Sequence, residues 1–273
     1  MVNILVPTDF SDLSKVAVRY AAKIASKLDG NITLLHVIDL QRTVRATMRM
    51  DNNIRDHIRD IRQKFEQVCE ELALYVSLKT PVKFKVSKGN SFNDTVLREA
   101  KRLRSGLIVM GTKGASGIKK TLIGSNTASV LGASHIPVLA VPERAEFKSF
   151  RNVVYATDLK NLDKELTLLV PYIERFGSTI HILHVLQAGG EVDELEEQIE
   201  QSVHKTGYKK FVTLVTVDFD VDAAIDQYVG LAKADLVTMF THKPTFYEKL
   251  LDRSVTRKRA LHSKIPLLAF RQE

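Results

Sequence analysis

The chain has 273 residues, enough for two average domains, and its 44% apolar and 26% charged residues are ordinary for a globular protein. No apolar run reaches the ~18 residues of a membrane-spanning helix, and MVNILVPTDF has no basic stretch before an apolar core, so we expect neither a membrane segment nor a secretory signal. The single cysteine, Cys69, excludes an intrachain disulfide and agrees with a cytoplasmic location. The net charge of +8 would attract phosphates, but the cations are spread along the chain without a recognition motif, so we expect no nucleic-acid partner.

Strand and helix patterns alternate through the first half. An apolar run at 2–9 predicts a strand buried on both faces, and a helical pattern follows it, with Ser11 or Asp9 as its cap and Gly30 as its end. The alternation continues with predicted strands in NITLLHVID, VKFKVSKG, GLIVMGT and IPVLAVP, and with predicted helices over about 53–78, in SFNDTVLREAKRL and in GSNTASVLGAS. This order predicts an α/β fold with a parallel sheet and right-handed crossovers.

The second half repeats this order. The segment VVYATD matches ILVPTD at an offset of 149, IHILHVL matches ITLLHVI at 148, and 239–271 matches 110–142 at 129. Collinear matches of this kind indicate an internal duplication. We therefore predict two tandem domains, 1–145 and 150–273, each long enough for its own core.

Two predicted strand ends in the first half carry unusual residues. The first strand ends in Pro7, Thr8 and Asp9, and the fourth runs through Met110 into a glycine-rich stretch that continues to a predicted helix. Glycines allow close approach of a ligand to the backbone, and a helix N-terminus offers unpaired N–H groups to an anion. The stretch lacks the Gly-Lys-Ser/Thr of a Walker A loop, and it follows the fourth strand rather than the first, unlike the dinucleotide fingerprint.

The spacing Gly-x2-Gly-x9-Gly-Ser, formed here by Gly111, Gly114, Gly124 and Ser125, resembles the nucleotide-binding motif of the universal stress protein family. The segments ILVPTDFS, LLHV and IPVLAVP resemble the same family, and the resemblance covers the whole chain as two copies. It implies five-stranded parallel domains with strand order 3-2-1-4-5, and binding of ATP, ADP or AMP where the glycines are kept.

The resemblance also implies roles for individual residues. Asp9 would lie near the adenosine, Val37 would line the adenine pocket, and the glycines with Ser125 and Asn126 would hold ribose and phosphates. We add Lys113, because its charge inside the loop could reach a phosphate. The candidate nucleotide-binding set is Pro7, Thr8, Asp9, Val37, Met110, Gly111, Lys113, Gly114, Gly124, Ser125 and Asn126.

Purely structural roles compete with several of these assignments. Asp9 could simply cap a helix, Val37 could be a core residue, and Ser125 and Asn126 are both common N-cap types. The repeated strand histidines, His36 and His184, are interpreted as structural, and no second ligand is spaced for a metal site.

The second half keeps the frame of the segment but loses its glycines. Gly111 becomes Phe240, Gly114 becomes Lys243 and Gly124 becomes Arg253, while Pro244 stiffens the loop and removes an N–H donor. Asp158 and Ser254 persist, so part of the motif remains. Because the glycines are lost, we predict a degenerate second domain.

The sequence therefore favours a cytoplasmic tandem universal stress protein that acts as a ligand-responsive stress regulator. It would bind an adenine nucleotide in its first domain only, and Mg²⁺ is compatible with that nucleotide. No set of catalytic residues is identified in the sequence. The alternative functions are a slow ATP hydrolase and a nucleotide-independent interaction protein. The protein partner is unknown. We expect the two final strands, at 136–141 and 265–270, to meet antiparallel in an intramolecular pseudo-dimer. A further homodimer stays open.

Overall fold

The computed structural model describes residues 2–39, 52–74, 76–77, 79, 81–112, 124–187, 189–241 and 264–271. Contacts divide the chain into two compact units, Met1–Glu143 and Arg144–Glu273. Each unit alternates strands with helices, as the periodicity predicts.

The first unit contains five strands and four helices in its described part. The strands are β1 (Asn3–Pro7), β2 (Asn31–Asp39), β3 (Lys83–Gly89), β4 (Leu107–Gly111) and β5 (Val138–Val141). The helices are α1 (Asp12–Leu28), α2 (Asn52–Ala73), α3 (Phe92–Arg102) and α4 (Ser125–Ala133). All strand pairs are parallel, and the order across the unit is β3-β2-β1-β4-β5. The predicted α/β class with a parallel sheet is confirmed.

The second unit repeats this layout. Its strands are β6 (Asn152–Ala156), β7 (Thr179–Leu186), β8 (Phe211–Val217), β9 (Leu236–Thr241) and β10 (Leu267–Arg271), paired in parallel in the order β8-β7-β6-β9-β10. Its described helices are α5 (Leu162–Ile173), α6 (Val192–Thr206) and α7 (Val221–Leu231). The placement of one unit against the other, and with it the predicted meeting of the two final strands, stays a prediction.

Apolar runs become central strands because helices cover the sheet. In β1, Ile4, Leu5 and Val6 are each at most 1% exposed, as expected of a strand buried on both faces. Helix α1 packs on β1, β2 and β4, and α3 packs on β2 and β3. Among the described residues, no helix is long and apolar enough to cross a membrane.

The ends of α1 differ in part from the prediction. Ser11 is the N-cap, accepting from the Ser14 N–H, whereas Asp9 makes a turn before it. At the other end the left-handed residue is Asp29, with φ +52°, and not Gly30. Gly30 is needed for a different reason, since a Cβ there would lie 2.8 Å from the carbonyl oxygen of Val2. The close approach to Val2, and not the end of the helix, therefore accounts for the glycine at position 30.

Two smaller expectations also change. Helix α2 ends at Ala73, several residues before the predicted end at about 78. The N-cap of α4 is Gly124, without a side-chain cap hydrogen bond, so Ser125 and Asn126 lie in the first turn and are exposed. Cys69 lies within α2, as expected, and burial raises the pKa of its thiol.

Candidate functional site

The turn after β1 holds the first group of predicted residues. Pro7 and Thr8 are buried, and Asp9 is exposed at the carboxyl end of the strand. Asp9 Oδ1 accepts hydrogen bonds from the backbone N–H of Ser11 at 3.1 Å and from its hydroxyl at 2.6 Å. Thr8 Oγ1 accepts from the Phe10 N–H at 3.0 Å, and Phe10 adopts φ +63°. Side-chain hydrogen bonds from Thr8 and Asp9 therefore stabilise this turn, in which Phe10 has the left-handed conformation.

His36 braces the same turn from β2. Its Nδ1 lies 2.9 Å from the carbonyl oxygen of Thr8, and because a carbonyl only accepts, this nitrogen carries the proton. The Phe10 ring stacks on the His36 ring at 5.2 Å and approaches Phe84 at 6.2 Å. Val37, the next residue of β2, is half-buried and pairs in register with Ser87. Val37 is therefore not fully buried, as a residue with only a core-packing role would be.

The end of β4 and the start of α4 form the second group. Met110 is buried, and Gly111, the last residue of the strand, accepts a hydrogen bond from Thr127 Oγ1 at 2.8 Å through its carbonyl oxygen. The Gly124 N–H donates to the carbonyl oxygen of Thr112 at 2.6 Å. These two bonds hold the helix N-terminus against the strand end. Thr112 and Gly124, the described residues on either side of the stretch, are therefore in contact.

The two groups lie at one position in the sheet. Strand β1 pairs with β2 on one side and with β4 on the other, so the chain order reverses between β1 and β4. In open parallel sheets, ligands bind beyond the carboxyl ends of the strands at this switch point. Lys113 and Gly114 lie outside the described residues. Among the described residues, no group of three His, Cys, Asp or Glu side chains could hold a metal ion.

The second unit repeats three hydrogen bonds of the first turn. His184 Nδ1 lies 2.9 Å from the Thr157 carbonyl oxygen, and the Leu159 N–H donates to Thr157 Oγ1 at 3.0 Å with φ +65° at Leu159. Asp158 Oδ1 accepts from the Lys160 N–H at 3.1 Å. Because both units keep this turn, it belongs to the frame of the fold.

The two units differ at the end of the fourth strand. The pairing of Leu5 with Ile108 in the first unit corresponds to the pairing of Val154 with Val237 in the second, which places Phe240 where Gly111 stands. The Phe240 ring stacks on Phe270 at 4.5 Å and meets Tyr155 edge-on at 5.8 Å. The second unit therefore has an aromatic cluster in place of a strand-end glycine. Lys243, Pro244, Arg253 and Ser254 lie outside the described residues.

The sequence does not predict a role for Phe10, and it indicates only a structural role for His36. A phenylalanine gives no sign that it will adopt a positive φ, because that conformation is costly for side chains of its size. The repeat of a histidine in the second strand of both halves was the available signal, and the structure shows its purpose in the Thr8 and Thr157 contacts.

These observations define an α/β protein of two parallel-sheet units. In the first unit, the N-terminus of α4 is held against the end of β4 at the switch point of the sheet. The sequence profile of the universal stress protein family matches residues 1–142 and 149–271. The chain therefore belongs to the universal stress protein family, in a tandem two-domain arrangement.

Individual relatives agree with this assignment. The chain is similar to a universal stress protein of Synechocystis, with 24% identity over 99% of this chain and 100% of the relative. It is also similar to one of Methanocaldococcus jannaschii, with 27% identity over 51% of this chain and 81% of the relative. The crystal structure of a universal stress protein from Archaeoglobus fulgidus shares the fold, with a TM-score of 0.68, 20% identity, and coverage of 99% of this chain and 96% of that one.

Proposed function

We propose that the first unit binds an adenine nucleotide (ATP, ADP or AMP) and that the protein acts as a ligand-responsive stress regulator. The observation that supports this best is the clamp of the α4 N-terminus against the end of β4, at the switch point of the sheet. Gly124, at the N-cap, supplies no side-chain acceptor, so the N–H groups of the first turn lack that partner. A helix start of this kind favours a phosphate through its N–H groups and its dipole.

Most of the candidate residues have a stated role in this proposal. Asp9 would meet the adenosine at the exposed end of β1, and the half-buried Val37 would line the base pocket beside it. Ser125 and Asn126, exposed in the first turn of α4, would donate to phosphate oxygens. Gly111 and Gly114 would let the backbone approach the ligand, and Lys113 would offset phosphate charge.

Mg²⁺ would bind only together with the nucleotide. The described residues provide no three-member group of His, Cys, Asp or Glu, so phosphate oxygens and water would supply most of its ligands. Its role would be to neutralise phosphate charge.

We propose that the second unit is degenerate as a nucleotide site. Its first turn is intact, but Phe240 occupies the strand-end position and packs on Phe270 and Tyr155. Keeping the frame preserves the core of the unit, whereas losing the glycines removes the access of a ligand to the backbone.

Replacing Gly114 by valine should abolish binding of ATP, ADP and AMP to the full chain, measured by titration calorimetry. The side chain would stand where the backbone is to meet the ligand. The matched control is Lys243→Val at the aligned position of the second half, which should leave affinity unchanged. Unchanged affinity in the Gly114 variant would refute the site, and mass spectrometry of nucleotide retained through purification would identify the ligand independently.

We expect binding to exceed turnover by a wide margin. The described carboxylate at this edge, Asp9, uses Oδ1 to accept two hydrogen bonds from Ser11, and no base for activating water is identified. Phosphate release from ATP should stay well below the ~1 per second of ordinary enzymes. A faster rate that survives purification and disappears in Gly114→Val would establish the ATPase alternative instead.

A further inference from the structure

The outer strand of the second unit has an open backbone edge. Among the described strands, β8 pairs only with β7. The Ile180 N–H donates to the Lys210 carbonyl oxygen, and the Asp218 N–H donates to the Leu186 carbonyl oxygen. Because backbone groups alternate in direction along a strand, the even-numbered residues face β7. The odd-numbered residues direct their N–H and C=O groups outward; they are Phe211, Thr213, Val215 and Val217.

The equivalent edge of the first unit is guarded by lysines. His36 pairs with Val86 and His184 pairs with Val215, which aligns β3 with β8 residue by residue. In this alignment the exposed Lys83 and Lys88 of β3 are replaced in β8 by Val212 and Val217. Lys85, which is ion-paired with Glu99, is replaced by Leu214. Lysines on an edge strand prevent pairing with another chain. The second unit has lost that protection together with its glycines.

The two ends of this edge are apolar and exposed, whereas Val215 in its middle is only 5% exposed. Val212 is 43% exposed and Val217 is 51% exposed, and Phe219, just beyond the strand, is 87% exposed. The sequence FVTLVTV has no charge, glycine or proline and is rich in β-branched residues, which suits it to pairing with another strand.

We propose that β8 is a self-association edge, on which a second copy of this chain pairs antiparallel with its own β8 about a twofold axis at Leu214. In this register Phe211 faces Val217 and Thr213 faces Val215 of the second copy. All four residues direct their backbone groups outward, so they form hydrogen-bonded pairs. The seven residues of each strand are then paired along their full length.

Charge complementarity identifies a second copy as the occupant. Lys209 and Lys210 precede the strand, and Asp218 and Asp220 follow it. In the proposed register, Lys210 of each copy faces Asp218 of the other, so both ends of the ribbon carry an opposite-charge pair. A twofold interface requires a surface that is complementary to itself, and this strand meets that requirement.

One side chain of the same molecule competes for the edge. Glu196 Oε1 accepts a hydrogen bond from the outward N–H of Val215 at 3.1 Å. Pairing with a second strand requires this carboxylate to withdraw. Removing it should therefore favour association, which gives the proposal a test in the opposite direction.

Sedimentation velocity of the full chain across a concentration series tests the proposal. We expect a reversible dimer for the native chain, and about tenfold weaker association for Asp218→Lys, which places lysine against Lys210 at both ends. The exchange variant Lys210→Asp/Asp218→Lys restores the complementarity and should recover most of the affinity. The variant Val212→Lys/Val217→Lys rebuilds two of the lysines of the guarded edge and should also weaken the dimer.

Several results would overturn the proposal. One is a native chain and a Glu196→Ala variant that both stay monomeric up to about 100 µM. Another is a dimer that neither Asp218→Lys nor Val212→Lys/Val217→Lys weakens, since it must then use a different surface. A third is loss of association in Asp218→Lys that the exchange variant does not restore, which would trace the effect to the turn where Asp218 accepts from the Asp220 N–H. Circular dichroism melting of each variant verifies that the fold is kept.

Discussion

Replacing Gly111 by phenylalanine should weaken nucleotide binding to the full chain by about a hundredfold or more in titration calorimetry. Phenylalanine is the residue that the second unit holds at this place, where it stacks on Phe270. The residue paired with Gly111 in the first unit is Val141, which is smaller and buried. The new ring would therefore compete for the space at the switch point that we assign to the ligand.

The reciprocal change provides the control. Phe240→Gly removes a ring that contacts Phe270 and Tyr155, so we expect it to destabilise the second unit by about 3 kcal/mol, measured by urea unfolding. It should not create a second nucleotide site, because Lys243, Pro244 and Arg253 remain. Full affinity in Gly111→Phe, or a binding stoichiometry of two in Phe240→Gly, would contradict our account of the two units.

Much of the fold could be predicted because burial dictates the pattern of residues. A strand such as β1, covered on both faces, has to be continuously apolar, and the run at 2–9 has no other simple reading. The ends of α1 were harder. Glycine is the usual residue of a left-handed helix end, so the sequence predicts Gly30, whereas Asp29 adopts this conformation. The close approach of Val2 to Gly30, which requires that glycine, is a tertiary contact that no local pattern reveals.

The candidate site divides in the same way. The glycine spacing and the ends of β1 and β4 could be identified in the sequence, because glycine and turn residues mark the points where buried apolar strands end. The brace from His36 to Thr8 could not be identified, since it joins residues from two strands through a ring nitrogen and a backbone oxygen. Its repeat between His184 and Thr157 shows that the first turn is shared by both units. The strand-end residue, Gly111 or Phe240, is where the units diverge.

Removing the hydroxyl of Tyr155 should destabilise the second unit by about 3 kcal/mol. Tyr155 is fully buried in β6, and its hydroxyl donates to Glu165 Oε2, which is also buried. The aligned residue of the first unit is Val6, so this polar pair is peculiar to the second unit. In Tyr155→Phe the carboxylate loses the Tyr155 donor while the ring volume is kept. Urea unfolding at pH 8 measures the loss, and hydrogen exchange of peptides covering β6 assigns it to this unit.

The same pair predicts a dependence on alkaline pH. Burial, followed by the negative charge of Glu165 and the hydrogen bond to it, raises the pKa of Tyr155 above its ordinary value of 10. Above pH 10 the unfolded chain therefore releases this proton while the folded chain retains it. The free energy of unfolding should fall by up to about 1.4 kcal/mol per pH unit from this group alone. This contribution is fully present below pH 10.

A comparison of variants isolates this contribution. The difference in unfolding free energy between the native chain and Tyr155→Phe should be constant from pH 7 to 9 and should shrink as the pH rises above 10, because only the native chain carries the Tyr155 proton. The double variant Tyr155→Phe/Glu165→Leu removes both polar groups and should recover part of the loss, since a buried pair costs more when one partner is left alone. A difference that stays constant through pH 11 would show that the hydroxyl and the carboxylate do not form the pair described here. The same conclusion would follow if the double variant lost more unfolding free energy than the two single variants lose together.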